Sequence, residues 1–220
     1  EKLGVVTTLD NCEVVKNANI VILAVKPQFY EEVIGEVKGY LTPEHMIVGI
    51  APGKTLAWLE EKCEQPLKVV RLMPNTPAQV GEGMTGACAN ERVTQEDLAQ
   101  ILTITNSFGR TEVVPERMMD AVGAVSGCSP AYVFMFIEAM ADAAVADGMP
   151  RAQAYKFAAQ SVLGSAKLML ETGKHPGELK DMVCSPAGTT IEGVRILEQN
   201  GFRSAVFEAL QGAADKGKKM

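Results

Sequence analysis

Ile20-Val21-Ile22-Leu23-Ala24-Val25-Lys26-Pro27 is an unbroken apolar run closed by a charge and a proline. A run without alternation reads as a strand buried on both faces of a parallel sheet. Outward from it the pattern repeats. Residues 46–50 form a second such run, stopped by Ala51-Pro52-Gly53, after which Thr55 caps a helix reaching about Cys63. Residues 67–73 form a third, closed by Pro74-Asn75-Thr76-Pro77, which cannot continue a ladder. A shorter strand is expected near 84–89, then a helix capped by Thr94 and ended by Gly109. Upstream, a short helix over 10–16 leads into the first strand. This alternation predicts an α/β fold with a partial, Rossmann-like parallel sheet. Ligands of such sheets lie beyond the carboxyl ends of the strands, here Val25-Lys26-Pro27, Ala51-Pro52-Gly53 and Met73-Pro74-Asn75-Thr76.

After about Pro115 the pattern is helical throughout, which predicts a sheet domain over 1–115 and an all-α domain over 116–220. Ser129 is placed as an N-cap with Pro130 at the first helical position. Between residues 131 and 146 the charges are Glu138 and Asp142, four apart and so on one face. A helix apolar nearly all round must be enclosed by protein. A second helix, from Pro150 to before Gly173, carries a stripe of Tyr155, Ala158, Val162, Ala166 and Met169. One chain has too few helices to cover both, so a second subunit is expected. Membrane insertion is disfavoured because Glu138 and Asp142 are costly there.

The formal net charge of −6 argues against a duplex nucleic-acid partner, which demands clustered Lys and Arg. Five scattered cysteines without a C-x-x-C pair suit reduced thiols and a cytoplasmic location. The two histidines, His45 and His175, sit in turn-like surroundings, and no metal-site spacing occurs.

The segment Asp181-Met182-Val183-Cys184-Ser185-Pro186-Ala187-Gly188-Thr189-Thr190-Ile191-Glu192 is a small-residue loop opening into a helix. Thr189 and Glu192 have the T-x-x-E spacing of a capping box, which predicts Thr189 as N-cap. Free N–H groups and the positive dipole end make such a place a ready anion pocket. A small anionic substrate fits it better than a macromolecule. A second hydroxyl- and Gly-rich turn, Ser126-Gly127-Cys128-Ser129-Pro130-Ala131-Tyr132, lies in the same half of the chain.

A dinucleotide-binding sheet normally opens with a strand, a glycine-rich turn and a helix. No glycine-rich dinucleotide fingerprint is expected anywhere in this chain, and no such opening unit is read ahead of residue 20. The chain is therefore expected to lack an initial β-α-β unit of about 30 residues or more, and to bind cofactor weakly and turn over poorly without it.

Together, Val25-Lys26-Pro27, Arg71-x-Met73-Pro74-Asn75-Thr76-Pro77, Ser126-Gly127-x-Ser129-Pro130-Ala131-Tyr132 and Asp181-Met182-Val183-x-Ser185-Pro186-x-Gly188-Thr189-Thr190 resemble the Δ1-pyrroline-5-carboxylate reductase family, enterobacterial forms above all. The resemblance implies reduction of the ring imine to L-proline by NADPH, with NADH the other donor. It further implies a homodimer through the helical domain, with assembly of dimers into decamers. Site residues follow from it. Ser185, Gly188, Thr189 and Thr190 would hold the substrate carboxylate, with the Thr190 hydroxyl near the ring nitrogen as the catalytic group. Val25, Lys26, Pro27, Ala51, Pro52, Gly53 and Asn75 would line the cofactor side. Three positions depart from the family pattern: Pro52 for Ala, Ala187 for Gly, and Cys128 for Gly or Ser.

Two rival classes share some features. A sibling hydroxy-acid dehydrogenase would need a helical-domain lysine, for which Lys156, Lys167 and Lys180 are candidates without an evident partner. A cysteine hydrolase would use Cys128 or Cys184, with His175 alone in reach of Cys184 as base.

Overall fold

The computed structural model describes residues 4–219, which form two compact units: 4–128 with 211–219, and 129–210. In the first, the strands β1 (Ile20–Leu23), β2 (Met46–Gly49), β3 (Lys68–Met73), β4 (Gly83–Ala89) and β5 (Gly109–Val113) lie side by side in chain order. β1, β2 and β3 are parallel, with Ile20 beside Met46 and Met46 beside Lys68. The sheet is mixed rather than wholly parallel, because β4 runs antiparallel to β3. β5, not foreseen from the sequence, pairs parallel with β4 at the edge.

Alternate strand residues feed two cores, one on each face. Val21, Leu23, Ile47 and Val69 pack with Tyr30, Ile34 and Leu59 from the helices α2 (Tyr30–Val37) and α3 (Leu56–Cys63). A short α1 (Asn11–Lys16) adds Val15 to that layer. Met46, Val48, Val70, Leu72 and Ala87 pack on the opposite side with Ile101 of α4 (Gln95–Asn106). Each buried Val, Leu, Ile or Met side chain among them stabilises the fold by about 1.5–3 kcal/mol. Both predicted caps form: Thr55 accepts from the Trp58 N–H at 3.0 Å, and Thr94 and Asp97 make a reciprocal capping box.

A G-x-G-x-x-G spacing does occur, at Gly81, Gly83 and Gly86, but it leads into β4. A strand start cannot present the converging N–H groups of a helix N-terminus, so this spacing is no dinucleotide fingerprint.

From Glu116 to Ala146 the chain is one helical run of 31 residues, long and apolar enough by length and composition to cross a membrane. Within it lie α5 (Met119–Val122), a π-turn (Gly123–Cys128) and α6 (Ser129–Ala146). Ser129 is therefore not an N-cap and Pro130 does not begin a helix. The π-turn absorbs the proline, as insertions in helices do where an N–H is missing. α7 (Arg151–Thr172) ends at Gly173 in a left-handed conformation. α6 and α7 meet through small residues, with Ala141, Ala154 and Ala158 buried. The three remaining helices, α8 (Pro176–Val183), α9 (Thr189–Gln199) and α10 (Phe202–Gly217), bury no residue within the chain.

Candidate active site

The parallel register of β1, β2 and β3 brings their carboxyl ends to one edge, and Tyr30 fastens the first two there. Its hydroxyl donates to the Leu23 carbonyl at 2.6 Å and accepts the N–H groups of Ile50 at 3.0 Å and Ala51 at 3.1 Å. Tyr30 is wholly buried, and burial pushes its pKa up, partly opposed by the two N–H groups it accepts. It is a residue the sequence reading missed. The segments it holds are the predicted cofactor-side turns. Val25 and Lys26 are exposed, and Pro27, half-buried, opens a short 3-10 turn. Ala51 is buried and its N–H is committed to Tyr30, while Pro52 has none. Gly53, at φ +74°, is left to supply any backbone donor from that turn.

Asn75 stands at the end of β3 and uses both ends of its amide. Its Oδ1 accepts the Met84 N–H at 2.8 Å, and its Nδ2 donates to the Ser126 carbonyl at 3.0 Å. It lines an open cleft of 650 Å³ together with Ile50, Pro74, Thr76, Phe108 and Gly127. The second hydroxyl- and Gly-rich turn is thus joined to the sheet edge.

In the other unit, the Cys184 N–H closes α8 onto the Asp181 carbonyl at 3.1 Å. Ala187 then takes a φ of 57°, in the left-handed region, and turns the chain into α9. The N-cap of α9 is Gly188 and not Thr189, which is already the first helical residue. The expected capping box does not form because Arg195 takes the Glu192 carboxylate through two contacts of 2.7 and 2.9 Å. Gly188 has no side chain to close the helix, so the N–H groups of Thr189, Thr190 and Ile191 lack an intrahelical acceptor and a side-chain cap. The Gly188 N–H itself goes to the Ser185 carbonyl at 3.0 Å. A Cβ on Gly188 would lie 2.3 Å from Ser185 Oγ, so that hydroxyl folds back over the helix end. Ser185, Thr189 and Thr190 are exposed around this uncapped, positive terminus. The four residues expected on the substrate side therefore lie together at this helix end.

Arg71 is buried on β3, with its Nη1 3.4 Å from Glu116 Oε1. The same carboxylate oxygen accepts the Leu56 N–H at 2.7 Å, joining the strand to the start of α3. The five cysteines are free thiols, with Cys63 and Cys88 pushed up to about 11 by burial, too high for nucleophiles. His175 accepts the Gly177 N–H at 3.1 Å as the N-cap of α8, which ties it to its own helix start.

Comparison with known proteins agrees with this arrangement. Residues 116–220 match the family model for pyrroline-5-carboxylate reductase dimerisation, and residues 1–53 match one described as NADP oxidoreductase, coenzyme F420-dependent. The chain is 56% identical over 208 residues to pyrroline-5-carboxylate reductase of Escherichia coli K12, covering 94% of this chain and 77% of that one. It also resembles the solved pyrroline-5-carboxylate reductase of Coxiella burnetii, at 36% identity and a TM-score of 0.92, covering 100% and 82% of the two chains. The Plasmodium falciparum enzyme, solved with NADP bound, matches at 35% identity and a TM-score of 0.90, over 96% and 80%. An identity this high across nearly the whole chain, on a sheet-then-helices plan carrying every motif in order, makes the chain a member of the pyrroline-5-carboxylate reductase family.

Proposed function

We propose that this oxidoreductase reduces the C=N bond of 1-pyrroline-5-carboxylate to L-proline, the last step of proline biosynthesis. The observation that carries the reading is the uncapped N-terminus of α9, with Gly188 as a cap that has no side chain. A substrate carboxylate completes it, accepting from the N–H groups of Thr189 and Thr190 and from Ser185 Oγ. Held there, the ring presents its nitrogen to the Thr190 hydroxyl. Negative charge develops on that nitrogen as the carbon is reduced, and a donor nearby lowers the barrier. Threonine is a weak acid, so Thr190 orients the imine and the water that protonates it.

NADPH, or NADH, supplies the hydride when bound. The first unit fits such a cofactor, with turns 25–27 and 51–53 on one sheet edge and an open cleft beside Asn75. Lys26 is exposed there and offers a charge to a phosphate. The division of labour follows: residues 1–115 for the cofactor and 116–220 for substrate and assembly. The open apolar faces of α6 and α7 meet those of a second copy in a homodimer, and dimers join into decamers. Glu138 and Asp142 set α6 against protein and not lipid, and the free thiols suit the cytoplasm.

The test is steady-state kinetics with pyrroline-5-carboxylate against a panel of hydroxy acids. Activity is expected with the imine alone. Thr190→Val is expected to lower kcat by about 10- to 100-fold, and Gly188→Ala to raise KM for the imine with little change in KM for NADPH. Hydroxy-acid turnover, or kinetics indifferent to both substitutions, would refute the reading.

A further inference from the structure

We infer that Asn75 is a positioning residue: its carboxamide ties the Ser126 carbonyl of the π-turn to the end of β3, and so fixes Gly127 in the wall of the cleft at the sheet edge. Pro130 has no N–H, so the run cannot pair residue 126 with residue 130 in α geometry, and Ser126 falls in the π-turn instead. Asn75 Nδ2 donates to that carbonyl at 3.0 Å, although it lies 51 residues away. The other end of the amide is pinned by the Met84 N–H at 2.8 Å, which fixes which atom faces the helix. The carbonyl in question belongs to the π-turn, where helix geometry is already departed from. Nothing lies within 4 Å of a Cβ built on Gly127, so that residue leaves free space in the cleft that it shares with Pro74 and Thr76. Asn75, Ser126 and Gly127 are thus one device, whose members lie far apart in sequence.

The inference deepens the cofactor-side reading and rests on it. It differs in assigning Asn75 to the backbone, with no hydrogen bond to the cofactor required. A wall displaced by an ångström misaligns reacting groups, which lowers turnover far more than binding. The experiment is a double-mutant cycle of Asn75→Ala and Pro130→Ala in the enzyme, read by kcat, by the Kd of NADPH from fluorescence quenching, and by Tm.

Asn75→Ala is expected to lower kcat tenfold or more while the Kd of NADPH moves less than twofold. With Pro130→Ala present, residue 130 has an N–H and the run can return to α geometry, in which that N–H serves Ser126, so the loss in both kcat and Tm from Asn75→Ala shrinks. Additive effects in both readouts would overturn the inference, as would a Kd raised tenfold with kcat intact. Should Asn75→Ala fail to fold, Asn75→Asp, which keeps the acceptor for Met84 and removes the donor, takes its place in the Tm cycle. Parent enzyme inactive on pyrroline-5-carboxylate would refute the proposed reaction, while the Tm cycle would still decide the role of Asn75.

Discussion

The Tyr30 hydroxyl serves two strand ends at once, and the cost of losing it is the cost of three orphaned groups. Tyr30→Phe leaves the Leu23 carbonyl and the N–H groups of Ile50 and Ala51 without that partner in a buried place. The expected loss is about 1–3 kcal/mol of unfolding free energy in urea. Weaker NADPH binding should accompany it, with proline binding unchanged. Equal weakening of both would show a general loss of structure. Nothing in the sequence marks Tyr30, because its partners are backbone groups 7, 20 and 21 residues away. Gly188 and Ser185 were legible as parts of the loop that opens α9. Their geometry was not, since T-x-x-E spacing cannot reveal that Arg195 competes for Glu192. Ala187 keeps a left-handed φ of 57° that costs a side chain about 1–2 kcal/mol, and the glycine usual in the family would avoid it.

Elements were readable where apolar runs were long. β1, β2 and β3 were found to within two residues at each end because each is a largely apolar run. β2 and β3 are buried on both faces, but β1 is not, since it lies at the sheet edge and Ile22 is 47% exposed. β5 was not, since Gly-Arg-Thr-Glu-Val has no apolar run and its outer positions are exposed at the sheet edge. The antiparallel sense of β4 is equally silent in a sequence, because direction is set by the connection and not by side-chain pattern. One contact between elements has a consequence that acid can test. Lys68 of β3 donates to Asp97 of α4 at 2.9 Å, and with the Thr94 N–H it lowers the Asp97 pKa to about 2. A carboxylate depressed on folding contributes stability above its unfolded pKa of about 4, and loses it as pH falls toward 2. The Asp97→Asn variant should therefore be less stable than the parent at pH 6 by the order of 2 kcal/mol. That gap should close between about pH 4 and pH 2 in thermal unfolding. A gap constant over that range would rule out the ion pair as its source.

At the scale of the molecule, the second unit is short of cover. Phe134 and Met135 of α6 are 65% and 67% exposed, and Phe157 of α7 is 67% exposed. A patch of that kind marks a surface for another protein. The sequence made this visible through the sheer apolarity of α6, though not the π-turn that joins it to α5. Phe134→Glu with Phe157→Glu is expected to convert the sedimenting species to a monomer with reduced helical content. An unchanged sedimentation coefficient would put the subunit contact elsewhere. The account as a whole rests on the N-terminus of α9, and a crystal structure of the enzyme with L-proline examines it most directly. The proline carboxylate should lie within hydrogen-bond distance of the N–H groups of Thr189 and Thr190 and of Ser185 Oγ, with the ring nitrogen beside the Thr190 hydroxyl. Proline bound away from Gly188, with that helix end left to solvent or filled by a side chain, would contradict the account.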